Sequence, residues 1–369
     1  MIYFDNAATT YPKPPAVLRK MRDVMRDSGG NPGRGSHRLA SSAEKIVYEC
    51  RTDAGKLFGA EPEQVSFTLN ATHALNMAIK GLAKPGCHIL IDSFAHNASY
   101  RPVMSLVRAG ICTADVYDAS GNDREILASI RALLRPETGL IIATHQSNVC
   151  SKVLPVTEIG AFSRSLGIPF IVDASQSAGH LPIDMASMGI TALCMPGHKG
   201  LMGPMGVGLL ISSPDAQYRT ILEGGAGIHS LDEEMPSLLP ERMEPGTLPL
   251  PAIAGLCEGI RWVTEYGIDA VHERGCMLAA LLRERLPDLV YHGDCTGNVV
   301  SLTMDSHTPS EIGAYLNSGG ICVRTGYHCA PLAHKTLGTL ENGTVRVSFS
   351  PMNTSREVLR LAEVLSVLS

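Results

Sequence analysis

Between residues 65 and 211, short aliphatic and β-branched runs recur at regular intervals, and segments of helical period lie between them. The runs are Val65–Thr68, His88–Asp92, Ile111–Tyr117, Gly139–Thr144, Pro169–Asp173, Ala192–Met195 and Gly208–Ile211. Most lack the apolar/polar alternation of a strand with one wet face, so they read as strands buried on both faces. The intervening segments, among them Thr72–Leu82, Tyr100–Arg108, Arg124–Leu134 and Pro155–Leu166, carry apolar residues at helical spacing. Strands joined by helical crossovers run parallel, so the order predicts an α/β fold with a mostly parallel sheet covered on both sides. In such sheets ligands bind beyond the carboxyl ends of the strands.

The pattern changes after a Gly- and Pro-rich stretch, Gly224 to Pro251, which reads as an extended loop. Two helical segments follow, Ile253–Tyr266 and Ala270–Leu286. Short strands come next at Leu289–Tyr291, Val299–Met304, Ile321–Arg324 and Thr344–Ser348, with a closing helix at Arg356–Leu368. A chain of 369 residues exceeds one ordinary core. We expect a large domain over 15–248, a smaller α+β C-terminal domain over 249–369, and a segment 1–14 associated with the small domain.

Composition excludes several classes. The formal charge of −5, with no Lys/Arg run, provides no basic surface for nucleic acid. The opening residues lack the cationic and apolar regions of a signal peptide, and no apolar run has the length of a membrane span. The ten cysteines show no CxxC pairing and read as reduced thiols, so a cytoplasmic protein without a metal site is expected.

Two strand ends carry chemistry. Ile171-Val172-Asp173 ends in an acid, and the run Ala192–Met195 leads into Pro196-Gly197-His198-Lys199-Gly200. An isolated Lys in a turn is ordinarily solvated. Here an amine and a carboxylate would meet at the ends of neighbouring buried strands. Pyridoxal 5'-phosphate requires that pair, an amine for its aldehyde and a carboxylate for its pyridine nitrogen. Nucleotide motifs fail on context. Gly203-Pro204-Met205-Gly206-Val207-Gly208 precedes a strand instead of opening a helix, and Gly200 stands where a phosphate-binding loop would need Ser or Thr after Lys199.

Five motifs occur in one order: Asp5-Asn6-Ala7-Ala8-Thr9-Thr10, His145-Gln146-Ser147-Asn148-Val149, Asp173-Ala174-Ser175-Gln176, Gly197-His198-Lys199, and Arg324-Thr325-Gly326-Tyr327-His328-Cys329-Ala330. In these the chain resembles the cysteine desulfurase and selenocysteine lyase branch of class V aminotransferase-like, fold type I pyridoxal phosphate enzymes, over essentially its whole length. The resemblance implies that Lys199 is the Schiff-base amine and proton-transfer base, that Asp173 pairs with the pyridinium, that Gln176 reaches the ring hydroxyl, and that His96 stacks on the ring. It assigns phosphate binding to Thr72 and His198, with Pro196 standing where members often carry a phosphate-binding Ser. Gly246-Thr247 matches an element supplied by the neighbouring subunit, which implies a homodimer. Arg346 and Asn148 would take the substrate carboxylate, with Arg324 as a further Arg of the pattern.

Cys329 matches the persulfide-forming thiol, and a cation near a thiol favours its reactive form. His198 or His328 would move protons. Met352 stands where members usually carry an aromatic residue. The implied reaction converts L-cysteine to L-alanine and passes sulfur to an acceptor protein. The alternatives are a selenocysteine lyase, a class V aminotransferase or C–S lyase of other specificity, and a non-catalytic cofactor-binding regulator or sulfur-carrier scaffold.

Overall fold

The computed structural model describes residues 1–33 and 35–368. The chain opens with β1 (Ile2–Tyr3), α1 (Pro15–Asp27) and α2 (Arg38–Phe58). Alternation then sets in: β2 (Val65–Thr68), α3 (Ala71–Leu82), β3 (His88–Asp92), α4 (Asn97–Arg108), β4 (Thr113–Tyr117), α5 (Asp123–Leu133), β5 (Thr138–Thr144), α6 (Val156–Ser165), β6 (Phe170–Asp173), β7 (Ala192–Pro196) and β8 (Gly208–Ser212). These strands form one seven-stranded sheet in the order β2-β8-β7-β6-β5-β3-β4. It is mostly parallel, with β8 antiparallel to both of its neighbours.

Successive side chains on a strand point to opposite faces. Leu90, Ile141, Val172 and Leu193 therefore join one apolar core, while Ile89, Ile142, Ile171 and Ala192 join another on the far side. Helices need polar ends as well as apolar faces. Asn70 caps α3 by accepting the His73 N–H, and Asn122 with Glu125 forms a capping box on α5.

The second half contains α7 (Leu250–Tyr266), α8 (Ile268–Arg285), β9 (Val290–Tyr291), β10 (Val299–Thr303), α9 (Pro309–Ser318), β11 (Ile321–Cys322), β12 (Arg324–Gly326), α10 (Pro331–Thr336), β13 (Thr344–Ser348) and α11 (Ser355–Leu365). An antiparallel sheet in the order β12-β13-β10-β9 shares a third core with α8, α9 and α11. β1 pairs in parallel with β11, which brings the first residues of the chain onto this half. α7, the first helix past the expected boundary at 249, packs on α1 and α2 and buries Ile253, Leu256 and Ile260 in the core they share.

Two expected strands differ. The run from Ile111 begins as strand only at Thr113, because the Ile111 N–H still bonds to the Leu106 carbonyl at the end of α4. The run Ile321–Arg324 divides into β11 and β12, which belong to different sheets. Among the described residues no helix is long and apolar enough to cross a membrane.

Candidate active site

β6 and β7 are parallel neighbours with Asp173 opposite Cys194, so Asp173 and the turn after β7 leave the sheet at the same edge. Asp173 is 2% exposed and its Oδ1 accepts the Ser175 N–H at 2.9 Å. Burial raises its pKa, opposed by the Ser175 hydrogen bonds and by the charge of Lys199. Burial likewise pushes the Lys199 amine down to about 8, against the pull of Asp173 and with the push of Arg346 and Arg324. Roughly a tenth of such an amine is neutral at pH 7, so it is primed as a nucleophile.

The turn carrying Lys199 fits closely against its surroundings. A Cβ on Gly200 would drive into the Ala178 carbonyl and come within 2.8 Å of the His180 ring. The opening segment of the chain clamps the same turn from outside. Thr10 donates from its backbone N–H to the His198 carbonyl at 3.1 Å and from its hydroxyl to the Lys199 carbonyl at 2.9 Å. Lys13 Nζ donates to the His198 carbonyl at 2.6 Å.

Asp173, His198 and Lys199 border a cavity of about 210 Å³. Seven residues singled out in the sequence line it together: Thr72, His96, Asn148, Asp173, Gln176, His198 and Lys199. At one end lies the start of α3. Its third N–H is capped by Asn70, which leaves the N–H groups of Ala71 and Thr72 to face an anion. Gly208 on β8 lets the start of α3 lie close against the sheet, since a Cβ there would sit 2.9 Å from the Asn70 carbonyl carbon. His96 caps α4, accepting the Ala98 N–H on Nδ1 at 3.0 Å, so the neutral ring carries its proton on Nε2. Burial, reinforced by Lys199, Arg324, Arg346 and Arg101, drives its pKa down to about 3 and keeps it neutral. His198 falls to about 4, through burial and the charges of Lys199 and Lys13. Gln176 donates to the Ala7 carbonyl at 3.0 Å, tying the opening segment to the cavity wall.

The remaining candidates lie at the rim or away from it. Arg346, on β13, is 1% exposed; the sequence requires a buried Arg to find an acid or a ligand, and it meets Asp5. Its Nη2 donates to Asp5 Oδ1 at 2.7 Å and its Nη1 to the Asn148 carbonyl at 3.2 Å, while Nε is buried without a partner among the described residues. Arg324 lies directly across the sheet from Arg346, and its Nη2 is 3.6 Å from Cys329 Sγ.

Cys329 is exposed. It and His328 both adopt left-handed backbone, with φ of 58° and 49°. Such a conformation costs a non-glycine residue about 1–2 kcal/mol. Two bonds to cavity elements hold the turn in place. Asn148 Nδ2 donates to the His328 carbonyl, and the Asn97 N–H at the start of α4 donates to the Cys329 carbonyl, both at 2.8 Å. Thr247 does not line the cavity of its own chain and is exposed. The loop bearing it is anchored by Glu244, whose carboxylate forms a buried pair with Arg51 at 2.6 Å and accepts the Phe67 N–H at the open edge of β2.

Sequence reasoning did not single out Lys13, Thr144 or Gln146. Gln146 and Thr144 line the cavity, each with a buried oxygen that has no partner among the described residues. Gln146 sat inside a quoted motif and Thr144 ended a predicted strand, so position at a strand end was the available signal. Lys13 had none, because its contact is made 185 residues along the chain.

The chain matches the model of the family described as aminotransferase class-V over residues 2–361. A probable cysteine desulfurase of Methanothermobacter thermautotrophicus is 30% identical, with the alignment covering 100% of this chain and 94% of the relative. A probable cysteine desulfurase of Pyrococcus abyssi is 31% identical over the same shares of the two chains. Among solved structures, the apo structure of a cysteine desulfurase from Thermococcus onnurineus superposes with a TM-score of 0.91 at 29% identity, covering 100% of this chain and 94% of that one. A family model and full-length relatives thus span both halves of the molecule and the cavity between the strand ends, and the chain belongs to the class-V aminotransferase family.

Proposed function

We propose that this chain is a pyridoxal phosphate-dependent cysteine desulfurase, converting L-cysteine to L-alanine with a persulfide on Cys329. The observation that carries the reading is the convergence of Lys199 and Asp173 on one cavity whose wall also holds the Cys329 turn. The full-length relatives named for cysteine desulfuration agree with it.

The residues fit the cofactor. Asp173 supplies a buried carboxylate for the ring nitrogen, the start of α3 with Thr72 suits the phosphate, and Lys199 supplies the amine that would hold the aldehyde. Unpartnered Asn148 Oδ1, Gln146 Oε1 and His198 Nδ1 leave polar capacity for a bound group. When bound, pyridoxal phosphate supplies an electron sink beside the substrate α-carbon. Every other task falls to the chain. His96 presents a neutral ring fixed by its cap. Lys199 takes the α-proton once its amine is free. Arg346 receives the substrate carboxylate, its Nε being unused while Asp5 holds Nη2 and the Asn148 carbonyl holds Nη1. Cys329 takes the substrate sulfur, leaving alanine, and its exposure suits onward transfer to an acceptor protein.

Purified protein given cysteine should release alanine and carry one added sulfur on the Cys329 peptide. With selenocysteine supplied in parallel, alanine from selenocysteine alone would replace this reading with a lyase.

Thr247 completes the phosphate site of a second copy in this proposal. Mixed dimers of Lys199→Ala and Thr247→Ala chains, each impaired alone, should regain activity in the fraction of sites that combine an intact Lys199 with an intact Thr247 from the other chain. A fully active monomer in solution would end the idea.

A further inference from the structure

His328 precedes the reactive thiol, and its ring is bonded in a way the proposed reaction does not use. Its Nε2 lies 3.0 Å from Thr344 Oγ1, Thr344 Oγ1 lies 3.1 Å from Ser301 Oγ, and Ser301 Oγ donates to the Val149 carbonyl at 2.7 Å. Ser301 and Thr344 are fully buried, and His328 is 2% exposed.

Counting protons settles every direction. A carbonyl only accepts, so the single Ser301 proton goes to Val149. Thr344 must then donate to Ser301, and with its one proton spent it can only accept from His328. The imidazole is therefore the Nε2–H tautomer. Burial, with Arg346, His334 and Arg324, drives its pKa far below the usual imidazole range, so no second proton competes.

The relay returns to the residue beside Asn148, and Asn148 itself donates to the His328 carbonyl. Backbone and side chain of His328 are thus both tied to residues 148 and 149, by separate routes. That fixes the rotation of a left-handed residue whose next neighbour is Cys329.

We propose that Ser301, Thr344 and His328 are positioning residues that aim the Cys329 thiol at the bound substrate, an inference that rests on the desulfurase reading. None of the three lines the cavity, so they act on the sulfur-transfer step and leave substrate and cofactor binding alone.

The test compares Thr344→Val, which keeps the volume and the β-branch but loses the hydroxyl, with Thr344→Ser, which keeps the hydroxyl. Persulfide formation on Cys329 is followed by rapid quench and mass spectrometry in the purified holoenzyme with L-cysteine. Thr344→Val should slow it about tenfold with KM for cysteine and cofactor absorbance unchanged, the scale of one lost buried hydrogen bond. Thr344→Ser should stay within about twofold of wild type. If Thr344→Val does not fold, Ser301→Ala serves, with about a threefold loss expected because Thr344 can still accept. Long-range proton–nitrogen spectra of histidine-labelled protein give a readout independent of turnover. The His328 Nε2–H signal, assigned by its loss in His328→Asn, should persist in Thr344→Ser and vanish or shift in Thr344→Val. Wild-type persulfide rates in both Thr344→Val and Ser301→Ala, or equal slowing by Thr344→Ser, would overturn the relay. A wild type that makes no persulfide would sink the desulfurase reading instead, and the spectra would then decide the relay alone.

Discussion

Lys199→Ala should lose at least about 10³-fold in turnover with cysteine, the largest single effect expected of any substitution here. Two functions disappear at once. The amine proposed to hold the cofactor aldehyde is gone, and so is the base proposed to take the α-proton. The depressed pKa of about 8 matters to both, since only the neutral amine is a nucleophile or a base. The variant should fold, because Lys199 Nζ makes no hydrogen bond among the described residues on which the turn depends. The turn is held through its backbone, by Thr10 and Lys13 on the carbonyls of His198 and Lys199. Wild type reduced with borohydride should carry the cofactor on the Lys199 peptide, and Lys199→Ala should carry none. Cofactor should still enter the variant, more weakly, through the start of α3 and Asp173. Labelling at Lys13, the other lysine against this turn, would refute the assignment of the site.

Much of this site was legible because its residues sit where the strand pattern stops. Asp173 ends β6 and Lys199 follows β7, and a sheet made of buried parallel runs must place such residues together. His96 and Asn148 were named by the resemblance, and both line the cavity at the ends of β3 and β5. Charged helices were harder to see. α1 carries Arg and Lys around a narrow apolar stripe, Val17, Met21 and Val24, and that helical spacing was present in the sequence but was not read. Long-range pairing left no local trace. Arg346 on an apolar strand demanded a partner, but nothing in the sequence named Asp5, which lies 341 residues earlier and arrives because β1 docks on β11. The Thr10 and Lys13 clamp on the Lys199 turn depends on the same docking. The division of Ile321–Arg324 between two sheets was likewise invisible, since a short apolar run does not say which neighbour it will pair with.

Cys329→Ala should separate the sulfur chemistry from the rest of the site. We expect alanine formation from cysteine to fall about 10²-fold or more, the range lost when a covalent nucleophile is removed and its step must proceed unaided. Cofactor absorbance and affinity should be unchanged, because Cys329 is exposed and does not line the cavity. The turn should keep its place, since the bonds from Asn148 and Asn97 engage backbone carbonyls that alanine retains. Alanine does not favour left-handed backbone, so Cys329→Asn is the control for strain, a residue that tolerates φ near 58° and has no thiol. If both variants lose desulfuration alike, the loss is chemical and not conformational. Selenocysteine makes the contrast sharper. A selenol ionises more readily than a thiol and its bond to carbon breaks more easily, so it leaves with less help from a nucleophile. Both variants should therefore retain a substantial part of any activity toward selenocysteine while losing that toward cysteine. Undiminished alanine release from cysteine in Cys329→Ala, or added sulfur on one of the other nine cysteines, would remove Cys329 from the mechanism and leave a lyase that expels sulfur without a protein carrier.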